Sequence, residues 1–173
     1  TGYSLPYGQG LITVQIPDGF TVDRLVPDPD RLAPDTNSNI PSAIENTLGE
    51  KTLADFANVQ TIGIAINDKT RPVPQPNPIQ PLLTHLESLG FNKKAIKLFV
   101  GSGTHEPMTQ PELLSLIDEH ILNSYEVVVH DCDHSQMSDL GKTSYGTPIL
   151  INEAFYRCDL KIAVGNIEPH HFM

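Results

Sequence analysis

The stretch Val59-Gln60-Thr61-Ile62-Gly63-Ile64-Ala65-Ile66 is rich in β-branched and apolar residues and runs straight into the polar segment Asn67-Asp68-Lys69-Thr70-Arg71-Pro72. An apolar run without strict alternation is what a strand buried on both faces requires. Downstream the same grammar repeats. Ile79, Leu82, Leu83, Leu86 and Leu89 recur at helical spacing and stop at Gly90, which predicts a helix with one buried stripe and a glycine end. Ala95-Ile96-Lys97-Leu98-Phe99-Val100 predicts a second strand, with the loop Gly101-Ser102-Gly103-Thr104-His105-Glu106-Pro107 behind it. Thr109 and Glu112 have the spacing of a capping box, opening one helix whose buried face is Leu113, Leu114, Ile117 and Ile121. Glu126 to His130 predicts a third strand and Cys158 to Val164 a last one. Strands alternating with helices imply right-handed crossovers. The expected fold is therefore α/β and Rossmann-like, a mostly parallel sheet with flanking helices.

Upstream of Val59 the pattern loosens into an irregular N-terminal β segment. Leu11 to Ile16 reads as a strand stopped by the turn Pro17-Asp18-Gly19, and Pro27, Pro29 and Pro34 interrupt the segment behind it. A helix is predicted from Pro41, as a first-turn residue, to Leu48, with Gly49 as its stop; Thr52 to Ala57 gives one more helical turn. Between the third and last strands, Gly141 to Asn152 reads as a hairpin interrupted at Pro148.

With 173 residues the chain fits one domain, since domains run to roughly 100–200 residues. A globule of this size buries about 70% of its unfolded surface and folds without a staple. The hydrophobic share of 39% against 18% charged residues is a folded composition, not a disordered one. A net charge of −10 argues against nucleic acid and anionic membrane as partners, because both demand a basic face. No apolar run approaches the roughly 20 residues of a membrane span. Cys132 and Cys158 are too few for a disulfide scaffold, so a reducing, cytoplasmic setting is expected. A chain that begins at Thr1 rather than Met is expected to be a processed or partial polypeptide.

Ligands of parallel sheets bind just beyond the carboxyl ends of the strands, which makes candidates of four loops. Arg71 follows the first strand closely, and its guanidinium suits a small carboxylate or phosphate; the competing reading pairs it with Asp68 as structural glue. Thr70 and its neighbouring amides offer further donors. His105 follows glycines that allow close backbone approach and suits proton transfer near neutral pH; the competing reading is a histidine that merely ties its loop. His170 and His171 offer a second acid–base group. His130-Asp131-Cys132-Asp133-His134 is the densest set of metal-type donors, but His130 is expected to end a strand, which points it away from His134 and leaves a polar loop. Cys158 is expected to be an inert core thiol, and His85 and His120 surface residues. No GxGxxG or P-loop pattern supports a dinucleotide or ATP site.

Three of these loops, Asp68-Lys69-Thr70-Arg71-Pro72, Gly103-Thr104-His105-Glu106-Pro107 and Ile167-Glu168-Pro169-His170, occur in an order and spacing that resembles the nickel-dependent lactate racemase family. Tyr7-Gly8, His130-Asp131 and the stretch from Leu140-Gly141-Lys142-Thr143 to Ile151-Asn152 add to the likeness, which covers nearly the whole chain. The resemblance implies an isomerase that interconverts the enantiomers of a small 2-hydroxy acid, with residues 1–173 forming an N-terminal cofactor- and substrate-binding domain and a second domain lying outside this chain. It implies a nickel-pincer nucleotide that accepts and returns a hydride at C2 through a 2-keto acid. His105 and His170 would be the acid–base pair, with His171 the alternative to His170. Arg71 would hold the substrate carboxylate, and Asp68, Lys69, Thr70 and Arg71 would border the cofactor. The lysine that attaches the cofactor in the family and its nickel histidine lie beyond Met173, so this chain alone is expected to be inactive and to supply no metal ligand. The competing classes are a non-catalytic anion-binding scaffold or sensor and a metal-dependent hydrolase.

Overall fold

Side chains alternate across a strand, and in β3 (Ile62–Asn67) the alternation sorts Ile62, Ile64 and Ile66 onto one face, all almost fully buried. The computed structural model describes residues 1–8, 10–25, 36–71 and 78–166. The chain divides into two compact units, Thr1–Pro34 and Asp35–Met173.

In the first unit, β1 (Gly2–Tyr7) and β2 (Gly10–Gln15) pair antiparallel, with Tyr3 opposite Val14 and Leu5 opposite Ile12. The Thr1 ammonium donates to the Ile16 carbonyl at 3.1 Å and extends the ladder. The sequence pattern shows β2 but not β1, because Pro6 interrupts β1's strand character; a two-stranded ribbon tolerates proline since its strands are edges. Gly19, at φ +96°, makes the turn expected after Ile16.

The second unit opens with α1 (Thr36–Glu45), which holds Pro41 in its interior instead of at its start. The expectation of a helix from 41 to 48 is thus displaced upstream, and the helix loses the hydrogen bond a proline cannot donate. A short 3-10 turn (Leu53–Phe56) leads to β3. Next come α2 (Ile79–Ser88), β4 (Ile96–Gly101), α3 (Gln110–Leu116), α4 (Glu119–Ser124) and β5 (Glu126–Val129). The hairpin β6 (Met137–Lys142) and β7 (Pro148–Asn152), the single turn α5 (Glu153–Tyr156) and β8 (Leu160–Ala163) complete it.

The expected helix from Thr109 to Ile121 is two helices. Ile117 adopts extended φ/ψ (−128°, 135°) and ends α3, and the Asp118 carbonyl then accepts from Ile121 and Leu122 to start α4. Leu113, Ile117 and Ile121 are buried as expected, but Leu114 is exposed. Pro148 opens β7 rather than interrupting it, which suits a residue that cannot donate to a ladder. The last strand starts at Leu160, two residues later than the apolar run suggests: Asp159 is used to accept from the Gln60 and Thr61 amides at 3.0 and 2.9 Å.

β5, β4, β3 and β8 form a parallel sheet in that order. From β3 the chain builds outward through β4 to β5, then returns to place β8 on the other side of β3. This is the topological switch of a Rossmann-like sheet, and the crevice it creates lies beyond the carboxyl ends of β3 and β8. On one face, Ile62, Ile64, Ile66, Ile96, Leu98 and Val100 pack with the α2 stripe (Ile79, Leu82, Leu83, Leu86) and with Leu113, Ile117 and Ile121. On the other, Gly63 makes room for α5: a Cβ there would stand 2.9 Å from Phe155 and 3.0 Å from the Cys158 sulfur. Phe155 meets Phe99 edge-on at 5.2 Å. Cys158 is buried, burial raises its thiol pKa, and it bonds the Ala154 carbonyl, as an inert core thiol should. Among the described residues no helix is long and apolar enough to cross a membrane.

Candidate active site

Because β3 is a central strand, the residue after it emerges at the carboxyl edge of the sheet while still shielded by its neighbours. That residue is Asp68, only 3% exposed. A buried carboxylate needs its lone pairs satisfied, and the local sequence supplies part of the solution. The spacing Asp68-X-Thr70 lets the Thr70 amide (3.0 Å) and hydroxyl (2.6 Å) both donate to Asp68 Oδ1. The Arg71 amide donates to the Asp68 carbonyl and closes the turn. The other oxygen, Oδ2, meets His105 Nδ1 at 2.7 Å.

His105 arrives from β4. Gly103, at φ +58°, bends the chain after the buried Ser102, and the His105 amide closes the bend on the Ser102 carbonyl at 3.0 Å. Burial opposes ionisation of Asp68, but the hydrogen bonds from Thr70 and His105 outweigh it and hold the carboxyl below its ordinary value. An ionised carboxylate only accepts. Nδ1 of His105 therefore carries the hydrogen and donates it, so that in the neutral ring, about half exposed to solvent, Nε2 is the nitrogen that can accept. An acidic group that fixes an imidazole tautomer from behind is the arrangement that prepares a histidine base.

The structure does not place the other expected residues alike. Arg71 is exposed, and among the described residues its guanidinium makes no ion pair, so the structural reading that bound it to Asp68 does not hold. Thr70 spends its amide and hydroxyl on Asp68 rather than offering them to an anion. Lys69 pairs with Glu112, Nζ to Oε1 at 2.5 Å. Glu112 Oε2 accepts from the Thr109 amide and hydroxyl at 2.8 and 2.9 Å, as the capping-box spacing predicts. The bond from Lys69, reinforced by those from Thr109, holds the Glu112 carboxyl down at about 2. His170 and His171 lie outside the described residues.

Sequence reasoning missed the polar pair at the switch point itself, where Asn67 Nδ2 donates to Asn166 Oδ1 at 3.0 Å and joins the ends of β3 and β8. Gly165 lies close beneath it, where a Cβ would stand 3.2 Å from Asn67 Oδ1. An asparagine directly behind each of two apolar runs is the signal that could have found the pair. The metal-donor loop separates into two unconnected contacts. Asn152 uses Oδ1 to accept from the Phe155 amide, so its Nδ2 donates to His130 Nδ1 at 3.3 Å. His134 Nδ1 bonds Asp131 Oδ2 at 3.0 Å. Among the described residues no three His, Cys, Asp or Glu side chains are grouped to hold a metal ion.

The chain as a whole is similar to known proteins. The sequence profile of the lactate racemase N-terminal domain matches residues 7–173. The chain belongs to the lactate racemase family. It is 32% identical to the lactate racemase of Lactiplantibacillus plantarum and 30% identical to that of Thermoanaerobacterium thermosaccharolyticum, in each case over 97% of its own length. It spans about 40% of the length of these relatives. The apoprotein structure of the Thermoanaerobacterium enzyme superposes with a TM-score of 0.77 at 28% identity, covering 98% of this chain and 40% of that one. The family thus carries the Rossmann-like sheet and the antiparallel N-terminal strands described above.

Proposed function

We propose that the chain is the substrate- and cofactor-binding N-terminal domain of an isomerase that racemises or epimerises a small, lactate-like 2-hydroxy acid. The observation that carries the reading is the buried, ionised Asp68 fixing His105 with its basic Nε2 outward at the carboxyl edge of the sheet. Loss of hydrogen from C2 as hydride requires the adjacent hydroxyl to give up its proton. His105 Nε2 takes that proton as general base, and the resulting imidazolium is balanced by Asp68 behind it. When hydride returns to the face it left, the same nitrogen gives the proton back; for the opposite enantiomer the proton would come from the second base. His170, or His171 beside it, would serve the opposite face, so that either enantiomer meets a base. Arg71, with its guanidinium free among the described residues, would clamp the substrate carboxylate through its two-pronged geometry.

A nickel-pincer nucleotide would supply the hydride acceptor at C2, leaving a transient 2-keto acid. The residues present fit this group in part. Asp68 presents a negative charge suited to a cationic ring. Among the described residues Ser102 has a buried hydroxyl without a partner and the Arg71 cation has no ion pair, which leaves it for a phosphate or carboxylate. Thr70 and Lys69 are occupied elsewhere, and the described residues offer no metal-ligand set, so Asp68 and Arg71 would border the group while others hold its metal. The 173-residue chain alone is accordingly proposed to be inactive, with the site completed by the family's further domain.

The test is turnover of D- and L-lactate by protein of the family's full length, prepared with nickel and the nucleotide. Interconversion of the two enantiomers supports the reading; a protein that binds lactate without isomerising it supports the scaffold instead. Arg71→Lys should raise KM about tenfold or more, because the forked contact is lost while the charge stays; an unchanged KM removes Arg71 from the substrate site.

A further inference from the structure

Asp68 is followed in sequence by two cations, Lys69 and Arg71, yet its carboxylate pairs with neither: one oxygen serves Thr70 and the other the His105 imidazole. An ammonium within reach of a carboxylate makes a stronger, charge-assisted bond than a neutral imidazole N–H does. A lysine next in sequence, on a flexible four-carbon stem, is the natural competitor for that oxygen. The structure removes it. Lys69 Nζ lies on Glu112 Oε1, 43 positions along the chain. Glu112 cannot follow Lys69 back, because its second oxygen is pinned by the Thr109 amide and hydroxyl at the first turn of α3. Adjacent residues 68 and 69 thus reach to 105 and 112, and both ties join the segment after β3 to the segment after β4.

We propose that Glu112 is a positioning residue for this site: by holding the Lys69 ammonium at the start of α3 it reserves the Asp68 carboxylate for His105. The inference rests on the reading of His105 as the acid–base group, and assigns the capping glutamate a task beyond its helix. Glutamine at this position can still accept from Thr109 but no longer draws the ammonium away. Freed, Lys69 competes for Asp68 Oδ2, and His105 loses the bond that keeps its hydrogen on Nδ1.

The experiment is nitrogen-15 spectroscopy of His105 in histidine-labelled protein, at a pH where the ring is neutral. The wild type should show the Nδ1–H tautomer. Glu112→Gln should raise the Nε2–H population about two- to fivefold, the scale of an exposed ion pair, and the double variant E112Q/K69M, which removes the competitor, should restore the wild-type spectrum. A purely structural glutamate would weaken α3 equally in both backgrounds and leave the tautomer alone. An unchanged His105 spectrum in E112Q, or a change that K69M does not reverse, overturns the proposal. The measurement needs neither substrate nor cofactor, so it stands or fails separately from isomerase turnover. In an enzyme found active, E112Q should lower kcat in proportion to the Nδ1–H population it removes and spare KM.

Discussion

Asp68–His105 and Asp131–His134 are the same two groups joined through the same atoms, Oδ2 to Nδ1, at 2.7 and 3.0 Å. Their surroundings separate them. Asp68 is 3% exposed and reaches a histidine 37 residues away on another loop, whereas Asp131 is 28% exposed and meets a histidine three residues on. Asp131 also accepts from the Asp133 and His134 amides, so its carboxylate caps a local turn and its histidine is an ornament of that turn. Asp68 hangs from the central strand of the sheet and fixes a ring brought to it by the loop after the neighbouring β4. Distances alone would rank the two pairs equally; burial and topology separate them, and the proposed function rests on the buried one.

The sharpest way to break this comparison is at the rings. His105→Ala should lower kcat by about 10²–10⁴-fold in the isomerase of full family length, the usual contribution of a positioned acid–base group, with circular dichroism unchanged. His134→Ala should leave kcat within about twofold, as a surface substitution away from the chemistry does. Equal losses would end the distinction. Next come the carboxylates. Asp68→Asn keeps the shape but offers an amide N–H to the ring, which favours the wrong tautomer and should cost about 10²-fold or more in kcat. Asp131→Asn should disturb only its own turn and leave turnover at the wild-type level.

The pH dependence of unfolding gives a smaller effect with a defined sign. Asp68 and Glu112 both titrate below their ordinary range in the folded protein, so the unfolded chain binds more protons as pH falls. The stability they contribute is complete above their unfolded values, near about pH 4–4.5, and drains away as pH drops toward the folded value of about 2 for Glu112. Urea midpoints measured from about pH 5 to about pH 2.5 should fall for the wild type and fall less for D68N and for E112Q. Identical slopes in all three would show that neither carboxylate is linked to folding.

How far the sequence could be read depends on the range of the interactions. The parallel strands, the α2 stripe and the capping box at Thr109 depend on neighbours within a few residues and lie near their expected places, the largest offset being the start of β3 at Ile62 instead of Val59. The break at Ile117 was invisible because Leu113, Ile117 and Ile121 keep helical spacing even though the backbone between them does not; burial preserved the pattern and the geometry departed from it. The loops that hold Arg71 and His105 were legible from their position behind apolar runs. Their wiring was not. Nothing near Asp68 in the sequence distinguishes a partner 37 residues away from the arginine three residues away, and nothing near Lys69 announces Glu112. Those choices are made by the parallel register of β3 on β4, which brings the ends of both strands to one level.

The missing side chain at Gly63 has a practical consequence in chemical kinetics. It lets Cys158 sit against β3 beneath α5, while Cys132 stands exposed on the far loop. Two thiols in one chain then differ in what must happen before they meet a reagent: Cys132 needs nothing, and Cys158 needs α5 to lift from the sheet. With Cys132 replaced by serine, the rate of Cys158 alkylation becomes a clock for that opening. It reports, without substrate or cofactor, how often the platform beneath the crevice lets go.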